Sequence, residues 1–340
     1  MSGCLGRVLQ RSLSLLPRAT QKPVQLLNPL AHSIRHSSDY APSADTKRYR
    51  RLDKGQNWLA TYVWIDGSGE FLRSKMRTLQ IQPKELEDLP EWTFDGSSTG
   101  QAEGKNSDVY LKPVAVYPDP FQSKDDVLVL CETWNFDKSK PTATNHRYAC
   151  KKVMDEIDHF EPWFGMEQEF TLFETGKDPL GWPKGGFPPP QGAYYCGLGP
   201  NKAFGREIVE AMYRAQLYAR IKVGGINAEV MPSQWEFQVG PVRGIDMGDQ
   251  LWMSRYIMKR VAEDFGVIAS LHPKPFSDWN GAGCHCNFSI APYREEGGLD
   301  AMKAAMPKLE AAHREHIKMY REIVLELKKA EEQLQHDLLQ

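Results

Sequence analysis

The feature that most constrains the fold is a β-strand pattern that carries acidic side chains among large apolar ones. Residues 234–239 read Gln-Trp-Glu-Phe-Gln-Val, so that apolar side chains alternate with Glu236 and Gln238. Because successive side chains of a strand point to opposite faces, one face is apolar and the other offers a carboxylate and an amide. A carboxylate in such surroundings is costly to bury without a partner, which points to a site on this face.

A second strand pattern, Gly165–Phe173, carries Glu167 and Glu169 two residues apart. Two carboxylates on one face repel each other unless a cation lies between them, and oxygen ligands suit Mg²⁺ or Mn²⁺. An exposed strand face is the alternative interpretation. Glu229 precedes a proline that ends its strand, so the chain can return Glu229 and Glu236 to one site. The combined pattern favours a metal site.

The segment 280–289 contains further candidate site residues. Asn280 and Gly281 form a turn signal, and the glycines at 281 and 283 allow a ligand to approach the main chain. On the strand that follows, we expect His285 to face inward and to offer an imidazole nitrogen to a metal. A core histidine is the alternative, which the four candidate carboxylates make less attractive. A zinc site at 284–286 is disfavoured because zinc sites seldom use three consecutive ligands.

Composition excludes several classes of protein. The 340 residues suffice for about two domains, and 42 Lys and Arg against 44 Asp and Glu give no basic excess for nucleic acid. No apolar run is long enough to span a membrane. The six cysteines form no CxxC pair, which is typical of free thiols in a reducing compartment. No phosphate-binding loop, dinucleotide fingerprint or nucleophile elbow is present, so a nucleotide would be held largely through metal ions.

The N-terminal segment has the composition of a mitochondrial transit peptide. Residues 1–38 contain no Asp or Glu but include Arg7, Arg11 and Arg18, several serines and leucines at roughly helical spacing. We therefore assign residues 1–45 to a transit or disordered segment and expect a location in the mitochondrial matrix. A solvated tail on a cytoplasmic protein is the alternative.

The remaining chain predicts an α+β protein of two domains. In the first domain, 57–138, residues 59–71 form a hairpin signal around an Asp-Gly turn, 94–100 is a loop and 127–131 is a strand. In the second, 143–340, the predicted helices are 145–159, 203–219, 251–265 and everything beyond 299, and the predicted strands lie in 165–173, 223–239 and 283–290. Residues 174–203 form a long Gly- and Pro-rich loop.

These segments together resemble eukaryotic glutamine synthetase from about Thr61 to Tyr320. The motifs that carry the resemblance are Phe-Asp-Gly-Ser-Ser at 94–98, Gly-Met-Glu-Gln-Glu at 165–169, Asn-Ala-Glu-Val-Met-Pro at 227–232 and Asn-Gly-Ala-Gly-Cys-His at 280–285. The resemblance implies a small β-grasp domain followed by a catalytic α/β domain. It also implies a homo-oligomer of stacked rings with active sites between neighbouring subunits.

The resemblance assigns roles to individual residues. Glu169, Glu229 and Glu236 match ligands of the metal that helps to hold glutamate, and Glu167 and His285 match ligands of the metal on the ATP phosphates. Asn280 and Gly281 match the glutamate-binding turn, and Asp95 matches an ammonium-binding residue that reaches a neighbour's site. The residues that match the nucleotide pocket are Trp163, Glu167, Glu236, Phe237, Gln238, Val239, Gly240, Pro241, Asn287, Phe288 and Ser289.

The implied reaction joins ammonia to L-glutamate at the expense of ATP. Hydroxide is a poor leaving group, so ATP first converts the carboxylate to γ-glutamyl phosphate, and ammonia then displaces phosphate to give glutamine. Two metal ions would neutralise and align the phosphate oxygens. Asp95 would attract ammonium and help to deprotonate it.

The resemblance ends after Tyr320, where the family continues with Asp-Pro and a tail rich in catalytic Arg and Glu. Here the chain instead reads Arg-Glu-Ile-Val and ends at Gln340, so we expect the catalytic domain to be incomplete at its C-terminus. Two hypotheses follow: an active ligase, and a catalytically silent subunit that binds ligands or co-assembles. A kinase that stops at the acyl phosphate is disfavoured by the presence of Asp95.

Overall fold

The computed structural model describes Tyr49, residues 52–175 and residues 178–337, with side chains described as far as Lys318. The predicted transit segment, residues 1–45, lies outside the described residues. In the described part of the chain no helix is long and apolar enough to cross a membrane.

The first half of the described chain forms a five-stranded sheet in the order β2-β1-β5-β4-β3. Its strands are β1 Trp58–Ile65, β2 Leu72–Leu79, β3 Trp92–Asp95, β4 Asp108–Pro118 and β5 Val127–Trp134. Strands β1 and β2 pair in antiparallel register, as the hairpin signal predicts, whereas β1 and β5 are parallel. The β-rich character of this region is confirmed.

Strand β1, which lies between β2 and β5, is buried on both faces. Tyr62 and Trp64 pack into a local core under the sheet, together with Leu111 and Val129. On the opposite face Val63 belongs to the core of the second half of the chain. Because successive residues of β1 point in opposite directions, one strand serves two cores and ties the two halves together.

The second half contains an antiparallel sheet in the order β10-β6-β8-β7, with β9 paired to the end of β6. Its strands are β6 Trp163–Phe173, β7 Val223–Ala228, β8 Gln234–Arg243, β9 Ile268–Ser270 and β10 Cys284–Ser289. The helices are α1 His146–Glu156, α2 Arg206–Tyr218, α3 Asp246–Phe265, the short α4 Ala291–Arg294 and α5 Gly298–Asp337.

One face of this sheet is covered and the other carries polar groups. Phe170, Trp235 and Phe237 pack with apolar side chains of α2 and α3, such as Met212 and Ile257. The opposite face presents the side chains of alternate residues, which include the acidic positions of β6 and β8. The α+β class with a β-grasp-like first sheet is confirmed.

Several details differ from the predicted elements. Helix α3 begins at Asp246 rather than at 251, and the strands β3 and β4 were not predicted. The pattern of β4 is obscured by Pro113, where the pairing with β5 shifts register. The predicted loop at 94–100 begins with the last two residues of β3 and continues as one turn of 3₁₀-helix.

Candidate metal and nucleotide site

Three carboxylates from neighbouring strands converge on the polar face of the second sheet. Glu169 on β6 lies directly opposite Glu236 on β8, and Glu229 follows the end of β7. One oxygen from each of the three lies within 4.8 Å of the others. The turn between β7 and β8 thus brings the carboxylates of Glu229 and Glu236 to one place, as the sequence predicts.

The electrostatics of this cluster favour a cation. Burial raises the pKa of Glu229, and the charges of Glu169 and Glu236 raise it further. Burial also raises the pKa of Glu236, despite a hydrogen bond from Gln238, and the charges of Glu167 and Glu169 add to the effect. Repulsion among half-buried carboxylates is what a bound divalent cation would relieve. An all-oxygen, anionic ligand set fits Mg²⁺ or Mn²⁺.

Glu167 lies on the same face but faces a different partner. It is paired across the β6–β10 ladder with His285, whose Nδ1 lies 3.5 Å from a Glu167 carboxylate oxygen. The other Glu167 oxygen accepts a 2.7 Å hydrogen bond from Asn287 Nδ2. The five predicted metal ligands therefore occur as one group of three and one neighbouring pair.

The prediction that His285 faces inward is wrong. Its side chain is 70% exposed, because β10 is the edge strand of the sheet and nothing described covers that end. The zinc alternative is also disfavoured by the register. Cys284 and Cys286 are paired with residues on the opposite face, and Cys284 Sγ contacts the guanidinium of Arg255.

A cavity of about 280 Å³ lies beside Glu167 at the edge of the sheet. The residues that line it are Trp163, Phe164, Gly165, Met166, Glu167, Gln238, Val239, Gly240, Pro241, Asn287, Phe288 and Ser289. Most of the predicted nucleotide-binding residues are therefore brought together. The rings of Phe164 and Phe288 lie 5.2 Å apart, and Arg294 lies over Trp163 at 3.9 Å.

Two of the predicted nucleotide-binding residues do not line this cavity. Phe237 is fully buried in the core beneath the sheet, because it alternates with the polar-face residues of β8. Its side chain therefore faces away from this cavity, and its assignment to the nucleotide pocket stays a prediction. Glu236 lies in the carboxylate cluster instead.

The turn at Asn280–Gly281 is tied to the carboxylate cluster by Gln234, which was not among the predicted site residues. Gln234 Nε2 donates to the carbonyl oxygen of Gly281 at 2.6 Å and to Glu169 Oε2 at 3.1 Å. The alternation of β8 could have identified it, because Gln234 stands two residues before Glu236 and so shares its face.

Asp95 lies on the first sheet and does not join the carboxylate cluster. Its carboxylate accepts hydrogen bonds from the Ser97 amide and from the hydroxyls of Ser97 and Ser98. The hydroxyl of Ser97, that of Ser98 and the Ser97 amide, in that order, hold the pKa of Asp95 below its usual range. The group is exposed and carries a negative charge that suits a cationic ligand.

Comparison with known proteins gives concordant matches along the described chain. Residues 58–135 match the family description "Glutamine synthetase, beta-Grasp domain", and residues 144–328 match "Glutamine synthetase, catalytic domain". The glutamine synthetase of Sus scrofa is 58% identical over 273 residues, which cover 80% of this chain and 73% of that protein. That of Gallus gallus is 55% identical over 285 residues, with 84% and 76% covered, and that of Tuber borchii is 55% identical over 286 residues, with 84% and 79% covered.

Proposed function

This chain belongs to the glutamine synthetase family and is a glutamate–ammonia ligase, and we propose which of its residues bind the metal ions, the nucleotide, glutamate and ammonium. The observation that carries the proposal is the group of three carboxylate oxygens within 4.8 Å of one another. No observation on the described residues favours the alternative of a catalytically silent subunit.

In this proposal the group formed by Glu169, Glu229 and Glu236 holds one Mg²⁺ or Mn²⁺ ion near the substrate. Glu167 and His285 hold a second ion at the mouth of the cavity that takes ATP. Divalent cations at these positions would neutralise phosphate oxygens and polarise the acyl group. The raised pKa of Glu229 and of Glu236 supports this arrangement, because both carboxylates gain from a nearby positive charge.

The cavity beside Glu167 suits a nucleotide. Its apolar walls, Phe164, Met166 and Phe288, can cover an adenine ring, while Glu167 and Asn287 lie at its polar side. A base packed on aromatic walls would leave its phosphates directed along β6 toward the carboxylate cluster. This geometry would align the γ-phosphate with a glutamate side chain held at the Asn280–Gly281 turn.

The remaining steps concern ammonia. Glutamate attacks the γ-phosphate to form γ-glutamyl phosphate and ADP, and ammonia then displaces phosphate to give glutamine. We propose that Asp95 attracts the ammonium ion. Because its pKa is held low, Asp95 remains a carboxylate and is better suited to binding the cation than to accepting its proton. The proton that ammonium loses before its nitrogen attacks would therefore pass to solvent water. Asp95 would serve the site of a neighbouring copy in a homo-oligomer, since it is not part of the carboxylate cluster of its own chain.

The metal assignment is tested by thermal unfolding with and without Mn²⁺. A ligand that binds the folded state raises the melting temperature, so Mn²⁺ should stabilise the wild-type chain. The double variant Glu169→Ala, Glu236→Ala should lose most of that response, because two of the three ligands of the first ion are gone and only Glu167 and His285 remain to bind an ion.

The matched control is Glu156→Ala with Glu210→Ala, which removes two exposed helical carboxylates away from the site. It should keep the wild-type response to Mn²⁺. An undiminished Mn²⁺ response in the Glu169, Glu236 double variant would overturn the assignment.

A further inference from the structure

One buried amide touches both halves of the proposed substrate site. Gln234 is 1% exposed and stands at the start of β8. Its Nε2 donates to Glu169 Oε2 at 3.1 Å and to the Gly281 carbonyl oxygen at 2.6 Å. Its Oε1 lies 3.5 Å from Asn280 Nδ2, and its own carbonyl accepts a 2.8 Å hydrogen bond from the Glu229 amide.

We infer that Gln234 is a positioning residue that couples cation binding to glutamate binding. The inference rests on the proposed function, which assigns Glu169 and Glu229 to the cation and Asn280–Gly281 to glutamate. A primary amide has two N–H donors, and here one is directed to the cation's carboxylate and the other to the substrate's turn.

The coupling has a simple physical cause. Gln234 is fully buried, so it cannot exchange either partner for water without leaving a polar group unpaired. A cation that fixes Glu169 therefore fixes the amide, and the amide fixes the carbonyl of Gly281 in the conformation that glutamate requires. The first ligand to bind orders the site, so the second ligand loses less conformational entropy when it binds. This difference gives positive cooperativity.

The alternative is a purely structural role for this side chain. In that case its loss would lower the affinity for each ligand independently, or lower the stability of the fold. The effect of bound glutamate on the affinity for Mn²⁺ would remain as in the wild type. The ratio of Mn²⁺ dissociation constants without and with L-glutamate separates the two roles. By linkage the same ratio must apply to glutamate without and with Mn²⁺, which provides an internal check.

The experiment is a calorimetric titration of Mn²⁺ into the full-length chain, with and without saturating L-glutamate. In the wild type we expect glutamate to tighten Mn²⁺ binding by about tenfold, within the usual range for coupled sites. Gln234→Met preserves side-chain length but removes both donors, and should reduce the ratio to less than about twofold. Should this variant fail to fold, Gln234→Asn retains the amide but is too short to span both partners, and the same reduction is expected.

The matched control is Gln216→Met. Gln216 is equally buried, on α2 and in the core on the other side of the sheet, with one weak hydrogen bond to the Ser254 carbonyl. It should keep the wild-type ratio. A wild-type ratio in a folded Gln234 variant overturns the inference and leaves the metal site intact. A wild-type chain that binds no Mn²⁺ overturns the proposed function and the inference together.

Discussion

At the scale of single residues, the predicted site residues include two kinds of carboxylate. Glu229 and Glu236 are partly buried and crowded by like charges, so their pKa values are raised. Asp95 is exposed and surrounded by donors, so its pKa is lowered. A divalent cation would stabilise the ionised form of Glu229 and Glu236, whereas Asp95 is already stable as an anion. In the proposed function, this difference separates metal binding from capture of ammonium.

The lowered pKa of Asp95 leads to a prediction on pH dependence. As pH falls, Asp95 should stay ionised below the usual range of an aspartate, so its affinity for ammonium should persist after Glu229 and Glu236, whose pKa values are raised, begin to take up protons. The double variant Ser97→Ala, Ser98→Ala removes two hydroxyl donors and returns the pKa toward its ordinary value. The acidic limb of the KM for ammonium, measured separately from the maximal rate, should therefore move to higher pH.

The control for this pH experiment is Ser139→Ala. Ser139 lowers the pKa of Asp137 in the same manner, through a backbone and a side-chain hydrogen bond, on an exposed turn outside the site. Its loss should leave the profile unchanged. An acidic limb that stays in place in the Ser97, Ser98 variant would remove Asp95 from the ammonium step.

At the scale of elements, strand alternation predicted most of the site. The positions of Glu167, Glu169 and Glu236 on one face follow from a period of two, and the register of the ladders brings them together. The orientation of His285 could not be predicted in this way. Alternation gives the face of a residue but not whether its strand lies at the edge of a sheet, which depends on pairing between distant segments.

The loop residues show the same limit. The Asn280–Gly281 turn was identified by its turn chemistry, but its attachment to Gln234 joins segments 47 positions apart in the chain. No local pattern contains that information. The strand β4 was missed because Pro113 interrupts its pattern, and only the pairing with β5 on either side of the register shift defines it.

A buried ion pair network connects elements of the two halves of the chain. Arg147 on α1 donates through Nε and Nη2 to Asp249 on α3, at 2.7 and 2.8 Å, and through Nη1 to Glu132 on β5, at 2.8 Å. The two carboxylate side chains are 5% and 6% exposed. Removing the guanidinium would leave two buried carboxylates without their cation.

We therefore expect Arg147→Met to lower the free energy of unfolding by about 3–5 kcal/mol, the usual cost of breaking a buried pair from one side. The free energy of unfolding can be measured by denaturant titration, with tryptophan fluorescence as the signal. Arg243→Met removes an exposed pair with Asp158 and should cost less than about 1 kcal/mol. Equal, small effects of the two substitutions would show that the buried network contributes little.

At the scale of the whole molecule, the α+β class and the two halves were predictable from composition and motifs. What the sequence could not provide is the way in which the halves share a core. Val63, Leu128 and Leu130 of the first sheet belong to the same apolar cluster as Phe170 and Trp235 of the second. Such contacts depend on how the two sheets are oriented when they pack, which the local sequence pattern does not determine.

The predicted location of the protein also belongs to this scale, and it rests on residues 1–38 alone. Fused to a reporter, residues 1–45 should direct import into mitochondria because they are rich in Arg and Ser and lack acidic residues. Replacing Arg7, Arg11 and Arg18 with Glu should leave the reporter in the cytosol, whereas replacing the same three with Lys should preserve import. Import of the Glu variant would contradict the prediction.

The position of the site on hydrogen-bonded strands has a consequence for its motion. Glu167 and Glu169 lie on β6, which is paired on one side with β10 and on the other with β8. Amide protons in such an interior strand exchange with solvent only when a large cooperative unit opens. We therefore expect the backbone that carries the carboxylates of β6 to unfold locally only rarely. The ion and the substrate would bind and dissociate through rearrangement of water and side chains, while the backbone hydrogen bonds of the sheet stay intact.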